Sequence, residues 1–168
     1  MTPEQQATLK AYILADPVLG PLTSGPGTDY GAIATAMSAD ASPAFWVYRS
    51  SLSRHDILTG TGPDGTTFAW AAGAYITRSQ GERDAFREMF NSTGSINPAL
   101  PSIQAAFNDI FSGAGGAGNR THITGMSRRK ATVAEKVLAT GNGAVATPAT
   151  ATFEGGLSLG DVASMFNV

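Results

Sequence analysis

The sequence predicts a mainly α-helical protein with minor β structure (α+β): a helical-bundle body with a short β element, followed by an extended C-terminal arm. Three observations predict it. Helix-start signals and apolar residues spaced near 3.6 recur through residues 1–140. Aromatic and branched residues gather into one clear strand-like run, FWVYRS at 45–50. Residues 141–156, GNGAVATPATATFEGG, carry one charge and neither period. The expected organisation is a body over 1–140 with a loop near 59–67, then an arm, short strand and terminal helix over 141–168.

Taken in order, Thr2, Pro3 and Gln5 sign the start of a first helix, with Leu9, Tyr12 and Ile13 as its buried stripe. Pro17 ends it near Asp16. The turn-rich stretch GPLTSGPGT at 20–28 leads to a second helix over 29–37. After the strand comes a short helical turn at 53–58. TGTGPDGTT at 59–67 is turn chemistry and is expected to be a mobile loop. The run FAWAAGAYI at 68–76 fits strand or helix equally, because short apolar runs do not reveal their period.

Three longer helices are then predicted. The first covers 77–90 with Phe86, Met89 and Phe90 inward. The second covers 101–111, where Ile103, Ala106, Phe107, Ile110 and Phe111 follow an i, i+3, i+4, i+7, i+8 pattern. The third covers 119–140 and contains the basic sequence SRRKATVAEKVLAT. TATFEG at 150–155 reads as a strand. Ser158 and Asp161 have capping-box spacing for a closing helix. No internal repeat is visible.

Composition narrows the function. The 168 residues suit one domain, and 42% hydrophobic residues argue against disorder throughout. Charged residues are 14%, against roughly 25% in typical soluble domains, which suggests surface covered by partners. A net charge of -2 excludes a histone-like coating of polyanions. Without cysteine there is neither disulfide nor thiolate chemistry. No secretory signal and no apolar run near the roughly 20 residues of a membrane span are present, so a soluble intracellular product or one released by lysis is expected.

Catalytic and cofactor hardware is sparse. Gly113, Gly115 and Gly118 satisfy GxGxxG, but a helix precedes them where a nucleotide fold needs a strand, so a flexible interhelix loop is expected. His55 and His122 are the two histidines, and each is expected at the surface or in a cap. Their separation offers no paired imidazoles for a metal. No G-x-S-x-G elbow occurs. The expectation is a non-enzyme without cofactor or metal.

Two charged features stand out. Glu82 lies on the rim of the Ala85 and Phe86 stripe, and Lys130 falls in the stripe of Ile123, Met126, Ala134 and Val137 of the third helix. Lys130 either snorkels or forms a structural ion pair with Glu82 or another carboxylate. Arg128, Arg129 and Lys136 project from the other side of that helix, and with Phe153 of the arm they are candidate contacts to a partner or to DNA phosphates.

The runs ASPAFWVYRS, RSQGERDAFREMF and INPALPSIQAAFNDIFSG, with SRRKATVAEKVLATGNGAVATPATATFEGGLSLGDV, resemble a family of small tailed-bacteriophage virion and morphogenesis proteins. The likeness spans nearly the whole chain, and RRKATxxEKxLATG followed by FEG is its most specific part. It implies a virion component of the head–tail connector region, assembled in the bacterial host cytoplasm. The role expected is a head–tail adaptor in a homo-oligomeric, dodecameric ring. Its partners would be the portal protein, a tail-side stopper or tail protein, and DNA backbone in the lumen. A capsid decoration (cement) protein or tail terminator is the alternative, and a nucleic-acid-binding regulator a further one. The resemblance carries no catalytic residues.

Overall fold

A computed structural model describes residues 1–71, 74–91 and 93–167. The protein is mainly helical, 50% helix and 10% strand, with eight helices and two small antiparallel sheets among the described residues. The elements are α1 Pro3–Ala15, α2 Tyr30–Ser38, β1 Trp46–Tyr48, β2 Leu52–Ser53, α3 Arg54–Thr59, α4 Gln80–Glu88, β3 Ser95–Ile96, α5 Pro101–Ile110, α6 Gly113–Met126, β4 Arg128–Lys130, α7 Val133–Leu138 and α8 Leu159–Phe166. β1 neighbours β4, and β2 neighbours β3. The chain forms two compact units: Met1–Val47 with Lys130–Val168, and Tyr48–Arg129.

The first unit is built from both chain ends. Thr2 and Gln5 exchange capping bonds at the start of α1, and the Asp16 carboxylate accepts the Val18 and Leu19 N–H groups beyond its end. Leu9 and Ile13 point inward onto Ile33 and Met37 of α2, Ala134 of α7, and Val162 of α8, all fully buried. Tyr12, expected in that stripe, is instead 40% exposed. The buried stripe of α1 is Leu9 and Ile13.

The segment after α7 is not a free arm. Thr140 and Thr150 each donate a backbone N–H to the other's carbonyl at 2.9 Å. Trp46 N–H donates to Gly143 O at 2.8 Å, and Ala149 N–H to Trp46 O at 2.9 Å. Gly143 has φ +64° and lies under the Phe45 ring, where any Cβ would collide with it. The small residues that look like a flexible arm are those that allow close backbone approach beside β1. The expected strand at 150–155 is reduced to the bridge at Thr150.

The second unit has an aromatic core. Phe68, Tyr75, Phe86, Phe90, Phe107 and Phe111 are buried with Leu52, Ile57, Ile96, Ile110, Ile123 and Met126. Phe86 of α4 and Phe107 and Ile110 of α5 are buried as periodicity predicts, Phe90 and Phe111 are buried just past the helix ends, and Met89, Ile103 and Ala106 are half-buried; Leu52 sits opposite Ile96 in the β2–β3 pair. Of the ambiguous run at 68–76, residues 72 and 73 lie outside the described residues, and the rest form turn and irregular backbone.

Two expectations about the glycine-rich stretch and the basic helix are overturned. Residues 113–118 form the start of α6 itself, with Gly113 at φ +71° turning the chain out of α5. The carbonyls of Phe111, Ser112 and Gly113 are satisfied by Arg120, Arg78 and Arg120 again. Gly116 faces this junction: a Cβ there would strike the Phe111 carbonyl oxygen and an Arg78 nitrogen, whereas Gly118 faces open space. Gly116→Ala is therefore expected to lose about 3 kcal/mol in chemical denaturation. Gly118→Ala should gain about 0.5–1 kcal/mol from helix propensity. Equal effects at the two positions would refute this packing.

The predicted helix over 119–140 is two helices with a strand between them. α6 stops at Met126, where the Ser127 hydroxyl donates to Ile123 O at 2.7 Å. Arg128–Lys130 is extended, and Thr132 starts α7 through a capping box with Glu135. The stripe joining Lys130 to Ile123 and Val137 therefore does not form.

Candidate functional site

The candidate contact residues fall on separate elements. Arg128 sits on β4 with its side chain only 9% exposed, and its guanidinium donates to Asp64 Oδ2 at 2.7 Å. It is a structural residue that anchors the 59–67 loop. Arg129 is half-buried on β4. Lys136 is half-buried on α7, with Nζ 6.0 Å from the Phe45 ring centre, a weak cation–π contact. Phe153 packs against the helical core of the first unit. Glu82 caps α4 on Ser79, accepting its N–H and hydroxyl at 2.8 Å each, and pairs with Arg78 at 3.4 Å. Lys130 is exposed on β4, outside any helical stripe.

The polar side chains that organise the second unit lie on α6 and escape a sequence reading. Gly116, Asn119, His122, Ile123 and Met126 share its buried face. Asn119, fully buried, accepts the Ala69 N–H at 2.7 Å and donates to Ala69 O at 3.0 Å, replacing a missing strand partner. His122, expected at the surface, is also fully buried. Its Nε2 lies 2.7 Å from Ile57 O of α3, and its Nδ1 lies 3.1 Å from Thr66 O and 3.4 Å from Thr66 Oγ1. The 59–67 loop, expected to be mobile, is thus held by His122, by Arg128 and by the Thr61–Thr67 bridge.

A cleft of about 220 Å³ opens in the second unit, lined by Arg49, Ser51, Leu52, His55, Asp56, Thr59, Gly60 and Met126. Its carboxylate is already engaged. The Ser53 hydroxyl and then the Ser53 N–H hold Asp56 below the ordinary carboxylate range, with His55 and Arg49 adding attraction. The Ser79 and Ser158 caps depress Glu82 and Asp161 in the same way. These carboxylates close helix ends as ionised acceptors, the opposite of the raised acid that proton transfer at neutral pH requires. Among the described residues no three His, Asp or Glu side chains group to hold a metal ion.

Apolar surface is the other feature. On α1, Ala7, Ala11 and Leu14 are exposed at spacings of four and three, and Val18 is exposed in the turn beyond the helix end. Leu14 is 53% and Val18 72% exposed. α1 therefore carries a second apolar stripe opposite Leu9 and Ile13. A shallow groove of about 590 Å³ runs along Gly31, Ala34, Thr35 and Ser38 of α2 to Leu157 and Leu159. No helix among the described residues is long and apolar enough to cross a membrane.

The chain matches no protein-family model, no curated protein and no solved structure.

Proposed function

We propose that this chain is a structural subunit of a tailed-bacteriophage virion, a head–tail adaptor that joins a homo-oligomeric ring beneath the portal protein. The outward stripe of α1 carries the reading. Ala7, Ala11 and Leu14 repeat at the four-then-three spacing that lets one helix pack against another, with Val18 exposed just beyond the helix end, and they face outward in the isolated chain. A surface of this kind is stabilised by a neighbouring subunit. The low share of charged residues, 14%, and the use of carboxylates as helix caps support an assembly role over catalysis. Because residues 141–157 are tethered to the first unit by backbone bonds at Gly143, Ala149, Thr150 and Gly155, docking uses a pre-formed surface instead of an ordering arm.

The test is to purify particles after complementation with wild type or Leu14→Glu, and to locate the subunit by electron microscopy. Wild type is expected as a ring on portal-bearing particles. Leu14→Glu should be lost from them while its melting temperature moves by no more than about 2 °C, since the residue is exposed. Binding to shells that lack a portal would replace this reading with capsid decoration. Absence from particles, with duplex binding that weakens steeply with salt, would replace it with the nucleic-acid regulator.

A further inference from the structure

His122 is the buried titratable side chain for which the adaptor reading has no use, and its surroundings are unusual. The ring is fully buried, with Phe68 edge-on at 6.4 Å between centres. Both ring nitrogens face backbone carbonyl oxygens, Ile57 O at 2.7 Å and Thr66 O at 3.1 Å. Carbonyl oxygens only accept, and a neutral imidazole has one N–H. Both contacts are hydrogen bonds only when the ring carries two protons.

We infer that His122 is a protonation-sensitive latch for the 59–67 loop. As the imidazolium it donates Nε2–H to Ile57 and Nδ1–H to Thr66, tying α3 and the loop to α6. On losing the Nδ1 proton, it leaves a lone pair facing the Thr66 carbonyl. The Thr66 hydroxyl at 3.4 Å is then the remaining donor, over a longer and weaker contact. Thr66 O also accepts the Gly62 N–H at 2.8 Å, and Gly62 O accepts the Gly65 N–H at 2.9 Å, so the Nδ1 contact steadies the carbonyl on which the loop's own turn closes, while Arg128–Asp64 keeps the loop attached. Ile57 O belongs to the last turn of α3, where the helix dipole favours a cation.

The charged and titratable groups on the surrounding elements are few. α3 carries Arg54, His55 and Asp56, the loop carries Asp64 paired with Arg128, and α6 itself carries Arg120. The exposed His55 is the other imidazole among these. The inference stands apart from the adaptor reading and does not depend on it.

The experiment uses the full-length protein labelled with ¹⁵N. Imidazole nitrogen spectra recorded through an acid-to-alkaline series are expected to show both His122 nitrogens protonated in the tied state and Nδ1 bare in the released one. Over the same range, the amide-exchange protection of Gly62 and Gly65, corrected for intrinsic rate, should fall about three- to tenfold, the worth of one net hydrogen bond. His55→Gln is expected to leave that fall intact. A His122 ring that stays neutral throughout the series, protection that does not change with pH, or a change that vanishes in His55→Gln would each overturn the latch.

Discussion

Phe86→Ala is expected to destabilise the protein by about 3–5 kcal/mol, the range for deleting a large aromatic side chain from a packed core. Phe86 is 1% exposed and is the hub of the aromatic cluster. Its ring centre lies 5.5 Å from Phe90 and Phe111, 6.0 Å from Phe68 and Tyr75, and 6.4 Å from Phe107. Removing it uncovers five partners at once, and none is a flexible aliphatic chain that can fold into the space. The loss should appear as a fall in melting temperature of roughly 10 °C. Phe86→Leu should retain about half of the lost stability. A loss under about 1 kcal/mol for the alanine variant would mean that the rings are not packed as described.

Glu135→Ala is the second large effect, and it acts through hydrogen bonds. Glu135 is 1% exposed; its Oε2 accepts the Thr132 N–H at 2.9 Å and its Oε1 accepts the Gly155 N–H at 2.7 Å. One oxygen thus starts α7, and the other pins the segment that leads to α8. Two bonds to a charged acceptor, each worth about 1.5–3 kcal/mol, give an expected loss of about 3–6 kcal/mol. Limited proteolysis supplies a local readout. Cleavage within 141–157 should accelerate in the variant well before global unfolding, and unchanged cleavage there would show that Gly155 is held by other means.

Much of the fold is legible in local chemistry. The caps at Thr2 and Ser158, the stop before Pro17 and the inward residues of α4 and α5 follow from sequence spacing, because caps and stripes depend on neighbours three or four residues apart. The break of the basic helix is harder to see. Thr132-x-x-Glu135 is itself a helix-start signature, yet the apolar spacing from Ile123 to Val137 continues through it. Backbone pairing of residues 128–130 overrides that spacing, and the partner strand lies some eighty residues earlier at Trp46–Tyr48.

The candidate site was less legible. Asn119 and His122 occupy helix positions at the same spacing as Ile123 and Met126, so position alone marks a buried face. Their polarity argues the other way, and only the carbonyls of Ala69, Ile57 and Thr66 make their burial favourable. Arg128 is hard to place for the matching reason: a guanidinium on a predicted helix reads as outward-facing, and only Asp64 from the 59–67 loop accounts for its burial.

The first unit draws on Met1–Val47 and on Lys130–Val168, with all of Tyr48–Arg129 between them in the chain. As the polypeptide leaves the ribosome, α1 and α2 emerge first, and Leu9, Ile13, Ile33 and Met37 have no α7 or α8 to cover them. At ordinary elongation rates that interval is on the order of ten seconds. The intervening stretch is continuous and can complete its own aromatic core within it. Maturation from the ribosome is therefore ordered from the middle outward, with the amino-terminal helices the longest exposed to chaperones and to mispairing with other nascent copies.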